Sequence, residues 1–139
     1  MSEIQNHPEV SKVMIDLSLN GGGELAALQR TLGFITDEKI SIPISNSLDK
    51  SYEIDSCLID VDGDGNCNND AYDEYDWYLL TGINTFSAAN LMASVFKQMN
   101  LGKIIGQKSG GGMCAVLPTV LADGTALTIS SPYCLQTYS

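Results

Sequence analysis

A chain of 139 residues that is 44% hydrophobic is long enough to bury one core and too apolar to stay disordered. Its net charge of −10 argues against a hold on nucleic acid or on anionic lipid. No stretch is apolar for long enough to span a bilayer, and no N-terminal segment resembles a signal peptide.

The first element is Val13-Met14-Ile15-Asp16-Leu17, which reads as a buried strand and leads into the glycine turn Gly21-Gly22-Gly23. A helix is predicted from about Glu24 to Ile35, with apolar residues at Leu25, Leu28, Leu32 and Ile35. Ile40, Ile42 and Ile44 then alternate with polar residues, and Tyr52 to Ile59 is again strand-like. A hairpin and an acidic loop inserted over about residues 38–75 are therefore expected.

The acidic loop, Asp60 to Asp70, begins as a calcium loop does. Asp60, Asp62 and Asp64 hold alternate positions for oxygen ligands, Gly65 supplies the sharp turn, and Asn66 and Asp70 add further oxygens. The pattern then departs, because Ala71 stands where a bidentate glutamate closes such a site. Calcium is the ion these residues would take, and a solvated Asp/Asn/Gly turn is the other reading. The four cysteines form no C-x-x-C pair, which argues against zinc and thioredoxin-like sites. In an exported protein Cys57 with Cys67, across the acidic loop, is the favoured disulfide. Buried free thiols are the alternative.

Trp77-Tyr78-Leu79-Leu80 is the next strand, and a helix from about Ala88 to Asn100 carries Leu91, Met92, Val95, Phe96 and Met99 on one stripe, a core face. Lys103-Ile104-Ile105 is a short strand running on to Gly110-Gly111-Gly112. Strands alternating with helices predict one layered α/β domain over residues 1–139, with parallel pairing. Ser87 falls at a strand-to-helix junction. There it is either a nucleophile, its hydroxyl beside the free N–H groups of the helix start, or an ordinary N-cap.

Three segments in order resemble the S41 peptidases, the family of the C-terminal processing proteases and the tricorn core protease. Ile15-Asp16-Leu17-Ser18-Leu19-Asn20-Gly21-Gly22-Gly23 resembles that family's I-D-L-R-x-N-x-G-G turn. Thr85-Phe86-Ser87-Ala88-Ala89-Asn90 resembles T-x-S-A-x-E at its nucleophile, and Gly106 to Gly112 resembles G-x-x-T-x-G. The resemblance covers roughly Val10 to Leu127. It implies a crotonase- or ClpP-like superfold of ββα units and peptide hydrolysis through an acyl-enzyme on Ser87. The oxyanion would be held by the Ala88 N–H and an N–H of the Gly21-Gly22 turn, and Gly110, Gly111 and Gly112 would line the peptide cleft. A location outside the cytoplasm and no required cofactor are implied as well.

The departures qualify this. Asn90 replaces an acidic residue and Ser18 an arginine. Gly112 stands where the processing branch has the lysine of its Ser-Lys dyad, and Lys108 matches an earlier position of the motif. In the branch that serves the serine with histidine and glutamate, those residues lie outside the three motifs. Here the one histidine, His7, precedes a proline and reads as a surface residue, and no acidic residue follows Asp123. The expectation is therefore a portion of an S41 catalytic domain whose general base lies in the remainder of the peptidase chain, acting on peptide or protein substrates. A non-catalytic peptide-binding relative is the main alternative, and a crotonase-type thioester enzyme a lesser one.

Overall fold

A computed structural model describes residues 2–57, 59–61, 63, 65, 71–72 and 74–136. The apolar runs form a parallel sheet that is buried only in part. Trp77 and Leu79 are enclosed, but Met14, Ile104 and Ile105 are exposed and Val13 and Ile15 half-buried, so the first run, expected as a buried strand, keeps one side open to solvent. β1 (Lys12–Asp16) and β4 (Asp76–Thr81) pair with Val13 opposite Trp77 and Ile15 opposite Leu79, and β5 (Lys103–Gly106) adds to the far side of β4, giving the order β1-β4-β5. Each parallel step needs a crossover, and α3 (Ala88–Gln98) supplies the one between β4 and β5. Ahead of β1 lies the short helix α1 (Ser2–Gln5), and α2 (Leu25–Gly33) follows the glycine turn.

The second sheet is antiparallel, with the order β3-β2-β7-β6. It comprises β2 (Ile40–Asn46), β3 (Tyr52–Cys57), β6 (Cys114–Val120) and β7 (Ala126–Leu135). The expected hairpin is β2–β3, paired from Ile40 opposite Cys57 to Ser45 opposite Tyr52. β2 also pairs with β7 on its other edge, and its Ile40 and Ile42 are fully buried. The core therefore lies between α2, α3 and both sheets, with Leu32, Phe96, Leu79, Leu91, Ile40 and Ile42 closed off from solvent. Burying each such side chain contributes about 1.5–3 kcal/mol.

The C-terminal end of α3 is fixed by local chemistry. At its C-terminus Asn100 takes a left-handed conformation (φ 54°), the Asn100 N–H donates to Lys97 O and the Leu101 N–H to Phe96 O. These two bonds close the last turn and satisfy carbonyls that the helix leaves open. Gly102 then lets the chain turn against β4, since a Cβ there would lie 2.1 Å from Trp77 O. The feet of the acidic loop are tied down similarly: Arg30 Nη2 donates to Val61 O at 2.7 Å, and the Ala71 N–H donates to Asp37 at 2.9 Å.

Cys114 and Cys134 stand opposite each other in β6 and β7 and form a disulfide. Sequence reading assigned them no partner. Cys67 and the Cys57 side chain, the favoured pair, lie outside the described residues. The Cys114–Cys134 bond closes a loop of 20 residues, a length for which chain entropy gives about 3 kcal/mol. Replacing both cysteines by serine is expected to lower unfolding stability by about that amount in denaturant titration. An unchanged midpoint would show that the hairpin holds itself without the bond.

Candidate active site

Ser87 lies in the turn between β4 and α3 with φ 53° and ψ −125°. An N-cap residue has extended dihedrals and a side-chain oxygen bonded to an N–H of the first helical turn. Ser87 has neither, and its hydroxyl makes no hydrogen bond among the described residues. Its backbone is held on both sides, the N–H donating to Gly111 O at 2.8 Å and the carbonyl accepting the Leu91 N–H at 3.0 Å. A non-glycine residue in such a conformation costs on the order of 1–3 kcal/mol and survives only where its surroundings over-determine it.

Thr85 provides part of that determination. It is fully buried, its hydroxyl donates to Leu17 O at 2.6 Å and accepts the Gly82 N–H at 2.9 Å. One side chain thus ties the end of β1 to the turn that carries Ser87. The Phe86 N–H donates to Asn20 O, and Phe86 forms an isolated parallel bridge with Gly111.

The glycine turn after β1 comes up against this point. A Cβ on Gly22 (φ 106°) would lie 2.6 Å from Ser87 Cβ, 2.8 Å from Phe86 O and 3.1 Å from Ala88 N, so only glycine fits. Gly21 has open space around it. The Ala88 N–H, first in α3, has no acceptor among the described residues, whereas the Gly22 N–H donates to Asn20 Oδ1 at 2.9 Å. Where the family carries an arginine, Ser18 donates its N–H to Asp16 at 2.9 Å. The Ser18 hydroxyl and then its N–H hold the exposed Asp16 carboxyl below its ordinary value. Beside the turn a pocket of about 180 Å³ opens between α2 and α3, with Leu17, Gly22, Leu28, Ala88 and Met92 in its lining.

Gly110, Gly111 and Gly112 lie along the other flank of Ser87. The Gly110 N–H donates to Thr85 O at 2.8 Å, Gly111 accepts from Ser87, and Gly112 (φ 75°) lies under the Phe86 ring, where a Cβ would be 2.0 Å from Cζ. The site of the processing branch's lysine is therefore filled by an aromatic ring. Lys108 is exposed and lines an open groove together with Asn90, Lys97, Ser109, Gly110 and Gly111. His7 is exposed after α1, its Nδ1 2.9 Å from Glu9.

In the acidic loop the Asp60 carboxylate accepts the Gly63 and Gly65 N–H groups, the latter at 2.9 Å. Asp62, Asp64, Asn66 and Asp70 lie outside the described residues. Among those that are described, no three His, Cys, Asp or Glu side chains gather at metal-binding distance.

The site thus brings together Ser87, Ala88, Gly22 and Gly110 to Gly112, and it adds Asn20, Thr85, Phe86 and Asn90. All four stand within the motifs. Phe86 over Gly112 and the contacts of Asn90 depend on long-range packing that no local pattern carries.

Known structures share this arrangement of elements. A photosystem II D1 C-terminal processing protease superposes with a TM-score of 0.72 at 21% identity, over 98% of this chain and 32% of its own. A lipoprotein from Streptococcus agalactiae gives 0.63 at 18% identity, over 87% of this chain and 42% of its own. The tricorn protease gives 0.55 at 20% identity, over 88% of this chain and 10% of its own. The chain therefore spans well under half the length of these structures. No curated protein is matched by its sequence. The model of Peptidase family S41 matches residues 1–136, and with the fold and the three motifs in place the chain belongs to peptidase family S41.

Proposed function

We propose that this chain carries the nucleophile half of an S41-type serine endopeptidase site. The observation that carries the reading is Ser87 itself, held at φ 53° with a hydroxyl that caps nothing, next to an Ala88 N–H with no acceptor among the described residues. Ser87 Oγ attacks the carbonyl carbon of a peptide bond and its proton passes to a general base outside the described residues. The oxyanion takes the Ala88 N–H and, by displacing Asn20 Oδ1, the Gly22 N–H. Collapse expels the amine, which receives the proton, and water then hydrolyses the acyl-serine. The pocket beside Gly22 and Ala88 takes a substrate side chain next to the scissile bond. Peptide or protein chains are the substrates, and a location outside the cytoplasm fits the lipoprotein of like fold. No helix among the described residues is long and apolar enough to cross a membrane.

Binding without cleavage is the second reading, and one observation favours it. No histidine, lysine or carboxylate among the described residues bonds to Ser87 Oγ.

A fluorophosphonate probe tests the proposal. Slow labelling of Ser87 is expected, absent in Ser87→Ala, because oxyanion donors alone retain a residual acceleration of roughly 10³-fold over water. Residues 1–139 alone are expected to cleave casein negligibly, since a serine hydroxyl without its base is a poor nucleophile. Robust hydrolysis that Ser87→Ala abolishes would overturn that expectation, and a folded protein that binds peptide but never labels would establish the binding reading.

A further inference from the structure

Asn90 lies one turn along α3 from Ser87 and is buried, with 6% of its surface exposed. Both ends of its carboxamide are engaged. Oδ1 accepts the Ser109 hydroxyl at 2.5 Å, and Nδ2 donates to Met113 Sδ at 2.8 Å. Ser109 and Met113 are the two feet of the Gly110–Gly112 turn, so a single side chain on the nucleophile helix grips that turn before and after its glycines. At the crown of the turn, Gly111 O accepts the Ser87 N–H and Gly110 donates to Thr85 O. The bonds close a ring that runs from Ser87 along the helix to Asn90, across to Ser109, through Gly111 and back to Ser87.

Glycines are the reason such a ring is needed. Gly111 and Gly112 have φ of 90° and 75°, and three consecutive glycines carry no side chain to fix their own path. Left to itself the turn would sample many conformations, and Gly111 O would leave Ser87 for much of the time. A strained residue relaxes when one of its restraints is intermittent. Pinning both feet of the turn to a helix that is itself packed in the core makes the restraint permanent.

From this geometry we infer that Asn90, acting through Ser109 and Met113, is a positioning residue that holds Ser87 in its strained conformation by fixing the Gly110–Gly112 turn. Among the described residues Asn90 makes no bond to the hydroxyl of Ser87, so its action is indirect. The inference deepens the serine-nucleophile reading and rests on it for its purpose, while the latch itself is testable without any catalysis.

Native-state amide hydrogen exchange on residues 1–139 provides the test. In Ser109→Ala and in Asn90→Leu the Ser87 amide is expected to exchange faster by about tenfold, the scale set by one lost hydrogen bond. The amides of Leu79 in β4 and Phe96 in α3 serve as references and are expected to keep their protection once any change in global stability is subtracted. Ser109→Thr, which keeps the hydroxyl, is expected to restore the Ser87 amide to its parental rate. A purely structural role for Asn90 would accelerate all three amides by one common factor and give no selective rescue, and that result overturns the proposal, as does an unchanged Ser87 amide. Should Asn90→Leu fail to fold, the partly exposed Ser109 pair decides the matter alone. Fluorophosphonate labelling separates the two readings: parental protein that never labels counts against Ser87 as a nucleophile, while the exchange data still decide the latch. Where the parent labels, Ser109→Ala is expected to lower the maximal labelling rate and leave the probe's half-saturating concentration unchanged.

Discussion

Replacing Gly22 with valine is expected to slow acylation or phosphonylation of Ser87 by roughly 10² or more, the loss associated with removing one oxyanion donor. The cause is steric before it is electronic. A Cβ at this position would lie 2.6 Å from Ser87 Cβ and 2.8 Å from Phe86 O, and neither neighbour is the free end of a flexible side chain. The φ of 106° adds a backbone penalty to any side chain. Since Ser87 is held by bonds to Gly111 and Leu91, the glycine turn is the part that must move, and it takes the Gly22 N–H away from the reacting centre. Gly21→Ala is the internal control, because nothing lies within 4 Å of a Cβ there. Labelling kinetics and circular dichroism on both variants decide the outcome. A valine variant with parental folding and parental labelling rate would remove this turn from the site.

Hydrogen bonding in the same turn separates what its sequence shows from what it hides. The three glycines mark a place where backbone approaches backbone, and the approach is to Ser87. The donor direction is not visible in the pattern. Asn20 stands two residues before Gly22, and its short side chain folds back on the Gly22 N–H as an Asx turn does. That contact pre-organises the loop and occupies the donor that, in the proposed mechanism, a carbonyl oxygen would take over.

The parallel sheet was legible because its strands are continuous apolar runs and its helices carry stripes at helical spacing. β1, β4, β5, α2 and α3 all lie within two or three residues of where these patterns place them. β6 and β7 were not. Val116, Leu117 and Val120 in β6 and Ile129 in β7 are exposed, so burial imposes no clean alternation, and Pro118 and Pro132 stand inside the strands, where a proline argues against a strand. Missing the hairpin also hid the disulfide, for Cys114 and Cys134 become neighbours only through its register. At the site, the position of Ser87 followed from the strand-to-helix junction, but its dihedrals did not. N-cap and nucleophile share the same sequence signature, and φ and ψ set Ser87 apart from an N-cap, which is what the proposed nucleophile role draws on.

Introducing the processing branch's lysine by Gly112→Lys is expected to destabilise this protein by on the order of 4 kcal/mol and to create no Ser-Lys dyad. Two costs combine. Gly112 has φ 75°, where a side chain is strained by about 1–3 kcal/mol, and its Cβ would fall 2.0 to 2.6 Å from three atoms of the Phe86 ring, an overpacking of similar size. Phe86 is 46% exposed and its ring can turn outward, but its backbone is tied to Asn20 and Gly111 and directly precedes Ser87, so the overlap is relieved only by giving up the packing of the ring on the turn. Moving the ring disturbs the turn that the lysine was meant to serve. Phe86→Ala combined with Gly112→Lys removes the overlap but not the φ penalty, so about half of the lost stability should return. Thermal melts of the two variants give the comparison, with peptide hydrolysis across pH 6 to 10 as the functional readout. Parental stability in the single variant, or hydrolysis by it that Ser87→Ala abolishes, would mean that the ring does not occupy the place of the lysine and that this chain lies one substitution from the dyad.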